Sequence, residues 1–109
     1  MKHKILVSPG FGAGWSSWIY GGRKAQVFAL TYEPIITHLE QHGLPVPENI
    51  LSEFGRQMDR LFGDDPYVGG ARDLQVMEVD CPFYIDEYDG SESVVLQNDE
   101  SLFIDLDKE

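Results

Sequence analysis

Residues 5–22 carry no charged side chain, and the stretch approaches the length needed to cross a bilayer. Its contents forbid that use. Pro9, five glycines and three serines interrupt it, and a lipid-facing helix cannot carry so many breaks. Nor does it read as a signal peptide. Met1-Lys2-His3-Lys4 is a basic head, but Ser8-Pro9-Gly10 cuts the apolar run too early. The segment therefore has to be accommodated by a folded protein. It predicts a short buried strand, Lys4-Ile5-Leu6-Val7 within His3 to Ser8, followed by a glycine- and tryptophan-rich loop reaching Gly22.

Beyond the loop the periodicity changes. From Arg23, Ala25, Phe28 and Ala29 share one helical face, and Tyr32, Ile35, Ile36 and Leu39 continue it. Pro34 must break or restart this helix. Thr31 as N-cap would place the proline in a first turn, and Gly43 closes the segment. Pro47-Glu48 opens a further helix with the apolar face Ile50, Leu51, Phe54, Met58, Leu61 and Phe62, ended by Gly63.

Strands follow. Leu74 to Val79 alternates, Phe83 to Tyr88 and Glu92 to Leu96 flank Asp89-Gly90, and Leu102 to Leu106 reads as a last strand. Asp-Gly between two such runs is a strong hairpin signal, because a type I′ turn needs positive φ at both central positions. The predicted fold class is α+β: one largely antiparallel sheet of four to five strands with two to three helices packed on one face. The 109 residues suit a single domain, 1–109. Cys81 is the only cysteine, which rules out an internal disulfide and points to a reducing compartment. It leaves pairing between two copies, and hence a homo-oligomer, open.

Charge is distributed unevenly. Residues 1–60 hold six Lys and Arg against five acids, a net of +1; residues 61–109 hold Arg72 and Lys108 against fourteen acids, a net of −12. An acidic half repels phosphate backbones, so direct nucleic-acid binding is disfavoured and a basic protein surface is the expected partner. The alternative reading is a solubilising face.

Tests of known chemistries eliminate most enzymes. The alternating Gly10, Gly12 and Gly14 let backbone amides approach an anion ahead of a helix. Yet Trp15 stands where a dinucleotide fingerprint needs glycine, and no Gly-Lys-Ser/Thr is present. The loop is either a ligand surface or a tight turn whose Trp15 and Trp18 plug the core. Its likeness to the oxyanion-loop strand of α/β-hydrolases stops after about fourteen residues, and no Gly-x-Ser-x-Gly elbow exists. His38 and His42 have ligand spacing, but Leu-Glu-Gln between them does not match a His-Glu-x-x-His motif, so they read as a solvated helix face near a C-terminus. The acids around Asp89 fit no EF-hand frame. No metal or cofactor is expected, and the chain reads as non-enzymatic.

Three motifs occur together: Lys-Ile-Leu-Val-Ser-Pro-Gly-Phe-Gly-Ala-Gly-Trp-Ser-Ser-Trp (4–18), Gly-Ala-Arg-Asp-Leu (70–74) and Ile-Asp-Glu-Tyr-Asp-Gly-Ser-Glu-Ser-Val (85–94). In these the chain resembles a group of small acidic proteins of tailed bacteriophages and prophages. The resemblance implies an accessory gene product working in the bacterial (host) cytoplasm. It supplies no activity.

Two functions remain. The first is an anti-CRISPR-like counter-defence inhibitor that covers the basic surface of a host protein, with Asp86, Glu87, Asp89 and Glu92 as the contact. The second is a binder that sequesters a signalling nucleotide. In it Gly10, Gly12 and Gly14 line the pocket, Trp15 or Trp18 stacks on the base, and Arg23 or Arg72 meets phosphate. The alternative role for Arg72 is a salt bridge to Asp73 or another acid.

Overall fold

The computed structural model describes residues 2–10, 14–19, 21–66, 68–88, 90–96 and 104–107. Strand β1 (His3–Val7) pairs antiparallel with β2 (Gln75–Val79), with Leu6 opposite Val76 and Ile5 opposite Met77. Side chains alternate along a strand, so β1 presents Leu6 to one side and Ile5 and Val7 to the other. Both sides are buried. Leu6 joins a cluster with Trp15, Ala29, Ile36, Phe54 and Met58; Ile5 and Val7 join a second one with Leu30, Val79, Phe83 and Ile104. An uninterrupted apolar triplet is what a strand covered on two faces needs.

Three α-helices separate β1 from β2 in sequence: α1 (Arg23–Leu30), α2 (Glu33–His42) and α3 (Glu48–Phe62). The break between α1 and α2 falls one residue from the expected place. Thr31 does not cap α2; its hydroxyl donates back to the Val27 carbonyl at 2.8 Å, and extended Tyr32 is the N-cap. Pro34 then sits in the first turn, where its missing N–H costs nothing. Gly43 and Gly63 end α2 and α3 with φ of 74° and 65°. In α3, Phe54 and Met58 are fully buried, but Leu61, expected on the same face, is 56% exposed. Phe62, four residues beyond Met58, takes the inward position instead and packs edge-on against Phe28 at 5.7 Å.

The largest correction concerns the sheet. There is no single four- to five-stranded sheet. Strands β3 (Phe83–Tyr88) and β4 (Ser91–Leu96) form a second, separate two-stranded antiparallel sheet around Asp89-Gly90. Just past the end of β1, the Glu92 N–H of β4 donates to the Ser8 carbonyl at 2.8 Å, a ladder-like bond and the one such bond between these segments among the described residues. The next bond is pre-empted, because the Ser8 N–H donates to the side chain of Glu92 (3.0 Å) rather than to a backbone carbonyl. Of the expected last strand, Ile104 forms an isolated bridge with Phe83, while Leu102 and Phe103 lie outside the described residues. No described helix is long and apolar enough to cross a membrane.

Candidate functional site

The glycine–tryptophan loop leaves β1 at Ser8 and runs towards α1. Backbone amides of Ser8, Trp15 and Ser17, none of them a glycine, converge on an anion, and the anion is the protein's own. Glu92 is 2% exposed. Its Oε1 accepts the Ser8 N–H, and its Oε2 accepts the Trp15 N–H (2.7 Å), the Ser17 N–H (3.0 Å) and the Ser17 hydroxyl (2.5 Å). Four donors satisfy a carboxylate that makes no ion pair with a described cation. A buried charge is tolerable only when hydrogen-bonded in this way.

A second carboxylate holds the loop's entry. Asp73 accepts the Ser8 hydroxyl at 2.7 Å on Oδ1 and the Gly10 N–H at 2.5 Å on Oδ2. Ser91 of the hairpin donates its hydroxyl to the Pro9 carbonyl at 2.7 Å. Gly70, in the 3-10 turn Gly69–Asp73, lies directly against the Gly14 backbone, with no room for a Cβ. Gly10 is thus half-buried beside Asp73 and Gly14 is buried against Gly70. Gly12 lies outside the described residues.

The two tryptophans, either of which could stack on a base, differ in burial. Trp15 is 1% exposed, stacks on Phe54 at 4.8 Å and donates its indole N–H to the Ala29 carbonyl at 2.8 Å. Stacking on a bound base would require removing it from the core. Trp18, half-buried, closes the short 3-10 turn Ser16–Trp18 and lays its ring over Gly14. Arg23 is exposed at the first residue of α1. Arg72 is exposed and makes no ion pair with a described acid; the bridge to Asp73 does not form, because both oxygens of Asp73 are turned to Ser8 and Gly10.

The acidic contact set also divides. Directly opposed residues of an antiparallel pair share a face. One face of the hairpin therefore carries Phe83, Ile85 and Glu87 against Leu96, Val94 and Glu92; the other carries Tyr84, Asp86 and Tyr88 against Val95, Ser93 and Ser91. Phe83, Ile85 and Val94 pack inward, and Glu92 goes with them. Glu92 thus leaves the expected partner surface, because the loop amides hold it inside. Asp86 is exposed on the outward face between Tyr84 and Tyr88, the latter 76% exposed. Glu87 is exposed at the turn, where its Oε2 accepts the Gly90 N–H at 2.6 Å. Asp89 lies outside the described residues.

No nucleophile–base arrangement is assembled among these groups. The Ser8 hydroxyl is hydrogen-bonded to Asp73, but Ser8 is fully buried. His38 and His3 are engaged elsewhere, with the Pro45 carbonyl at 3.1 Å and with Asp107 at 2.8 Å, and His42 lies against the His38 ring at 5.1 Å. Among the described residues no cluster of three or more His, Cys, Asp or Glu is placed to hold a metal ion. A groove of about 660 Å³ lies between the β1–β2 pair and the end of α2, lined by Lys4, Leu39, Glu40, Leu44, Val76 and Glu78 among others. Lys4 and Glu40 are ion-paired there at 2.7 Å, and that bond raises the Lys4 pKa above its ordinary value. The chain matches no protein-family model, no curated protein and no solved structure.

The residues that sequence reasoning missed are Ser8, Ser17 and Asp73 as partners of the loop. Ser8 meets Asp73 across 65 positions, and Ser17 meets Glu92 across 75. No local spacing announces such pairs.

Proposed function

We propose that the chain is a binding protein of phage or prophage origin. It occupies a basic surface of a host defence or nucleic-acid-handling protein in the bacterial cytoplasm, in the manner of an anti-CRISPR-like counter-defence inhibitor. The supporting observation is the outward face of β3, where Tyr84, Asp86 and Tyr88 stand in one row beside exposed Glu87. Tyrosines supply large contact area at low entropic cost, and carboxylates between them select a cationic partner and speed encounter. The net of −12 over residues 61–109 adds a long-range field of the same sign. The contact set of this proposal is Tyr84, Asp86, Glu87 and Tyr88.

The alternative, sequestration of a nucleotide by the loop, is less favoured because Trp15, one of its two stacking candidates, is buried and the Gly10 amide is engaged by Asp73. The deciding experiment is affinity capture from host lysate with the native chain, Asp86→Lys/Glu87→Gln and Tyr88→Ala. Gln at 87 keeps an acceptor for the Gly90 N–H. A stoichiometric basic, nucleic-acid-handling partner that is lost in both variants and at raised salt supports the reading. Capture that survives all three changes refutes it.

A further inference from the structure

Arg72 is exposed in the strongly acidic half of the chain and is paired with no described acid. It lines a cavity of about 190 Å³ formed by Pro45, Val46, Leu51, Val68, Gly69 and Ala71. Every other residue of that lining lacks a charge, and none belongs to the β3–β4 hairpin. An apolar recess with a single arginine on its lining suits an anionic head on a hydrocarbon body, provided the exposed guanidinium meets the head at the mouth of the recess.

We propose that this recess binds a small monocarboxylate with a compact apolar tail. At roughly 30 Å³ per water-sized volume, the cavity takes a tail of about six heavy atoms. The guanidinium fork matches a carboxylate in two parallel hydrogen bonds. A phosphate dianion fits less well. The recess supplies one cation, and the acidic field of residues 61–109 penalises each added negative charge.

The test is an NMR titration of the full chain, following the methyl groups of Val46, Leu51 and Val68. The probes are isocaproate, its neutral amide and inorganic phosphate. Isocaproate is expected to give saturable shifts confined to those methyls, with the amide about tenfold weaker or worse. Arg72→Met, an exposed change that leaves the rest of the spectrum in place, should weaken isocaproate to the level of the amide. Four outcomes overturn the proposal: no saturable shift with isocaproate, equal binding of acid and amide, phosphate binding as tightly as isocaproate, or undiminished isocaproate binding by Arg72→Met.

Discussion

Glu92 and Glu87 stand directly opposite each other on the hairpin, yet one is an interior residue and the other a surface residue. The difference comes from what lies beneath each. Under Glu92 run the amides of Ser8, Trp15 and Ser17, which replace water bond for bond. Glu87 sits exposed near the turn, where one amide, that of Gly90, meets it. The same contrast separates Ser8, Trp15 and Ser17 of the glycine–tryptophan loop, whose amides point inward to Glu92, from the outer face of β3, where Asp86 and Tyr88 are exposed. In this chain acidity therefore has two uses: Glu92 and Asp73 build the fold, and Asp86 and Glu87 face solvent.

Removing the interior carboxylate is the harshest way to break this contrast. Glu92→Ala should destabilise the protein by about 3–5 kcal/mol, because it strands several buried donors at once. That is comparable to the whole stability of a small domain. Glu92→Gln, which keeps the shape but not the charge, should cost less; urea denaturation of both variants measures the difference. Next comes Gly70→Ala. Its Cβ would be driven into the Gly14 backbone, so a loss of about 2 kcal/mol is expected in the same assay.

A finer test lies within the loop. Ser17→Ala removes a hydroxyl that bonds the Glu92 carboxylate and should cost about 1–2 kcal/mol. Neighbouring Ser16 has a buried hydroxyl with no hydrogen-bond partner, so Ser16→Ala should be neutral or stabilising. If both serines behave alike, the carboxylate is not what orders the loop. On the outer face, Asp86→Lys should move stability by no more than about 0.5 kcal/mol, as at an unencumbered surface site.

The smallest effect concerns exposed Asp107. The His3 hydrogen bond holds its carboxyl below the ordinary value of 3.8. A depressed carboxyl contributes stability that is complete above 3.8 and is lost as pH falls through the folded-state value. The acid limb of the stability profile should therefore flatten slightly in Asp107→Asn. No change in that limb would show the pair to be silent.

Much of the secondary structure was legible in the sequence, for local reasons. Pro34 and Pro47 mark helix starts, Gly43 and Gly63 mark helix ends, and Gly90, with φ of 83°, lies between two strands. Each acts through its own backbone preference. Positions at the margin of a pattern failed. Leu61 and Phe62 both fit the α3 stripe, and only packing against Phe28 selected Phe62. Thr31 is a fair N-cap by type, but a bond to Val27 one turn back claimed its hydroxyl. The candidate site was legible in half. Among the described residues, only Gly10 of the three alternating glycines gives its amide to an anion, Asp73; the amides that hold Glu92 belong to Ser8, Trp15 and Ser17, and nothing local said that the anion was already in the chain.

The sequence by itself determined that residues 5–22 could not be a membrane span, that two to three helices would precede a set of strands, and that charge would concentrate in residues 61–109. These follow from composition and short-range periodicity, which act wherever the chain goes. Only the tertiary structure decided which acids are interior. Glu92 reached the loop because β4 comes to lie beside the end of β1, and its carboxylate then took the amide that a continuous sheet would have used. Burial of a charge depends on donors brought from 75 and 84 positions away, and that information exists only once the chain has closed on itself.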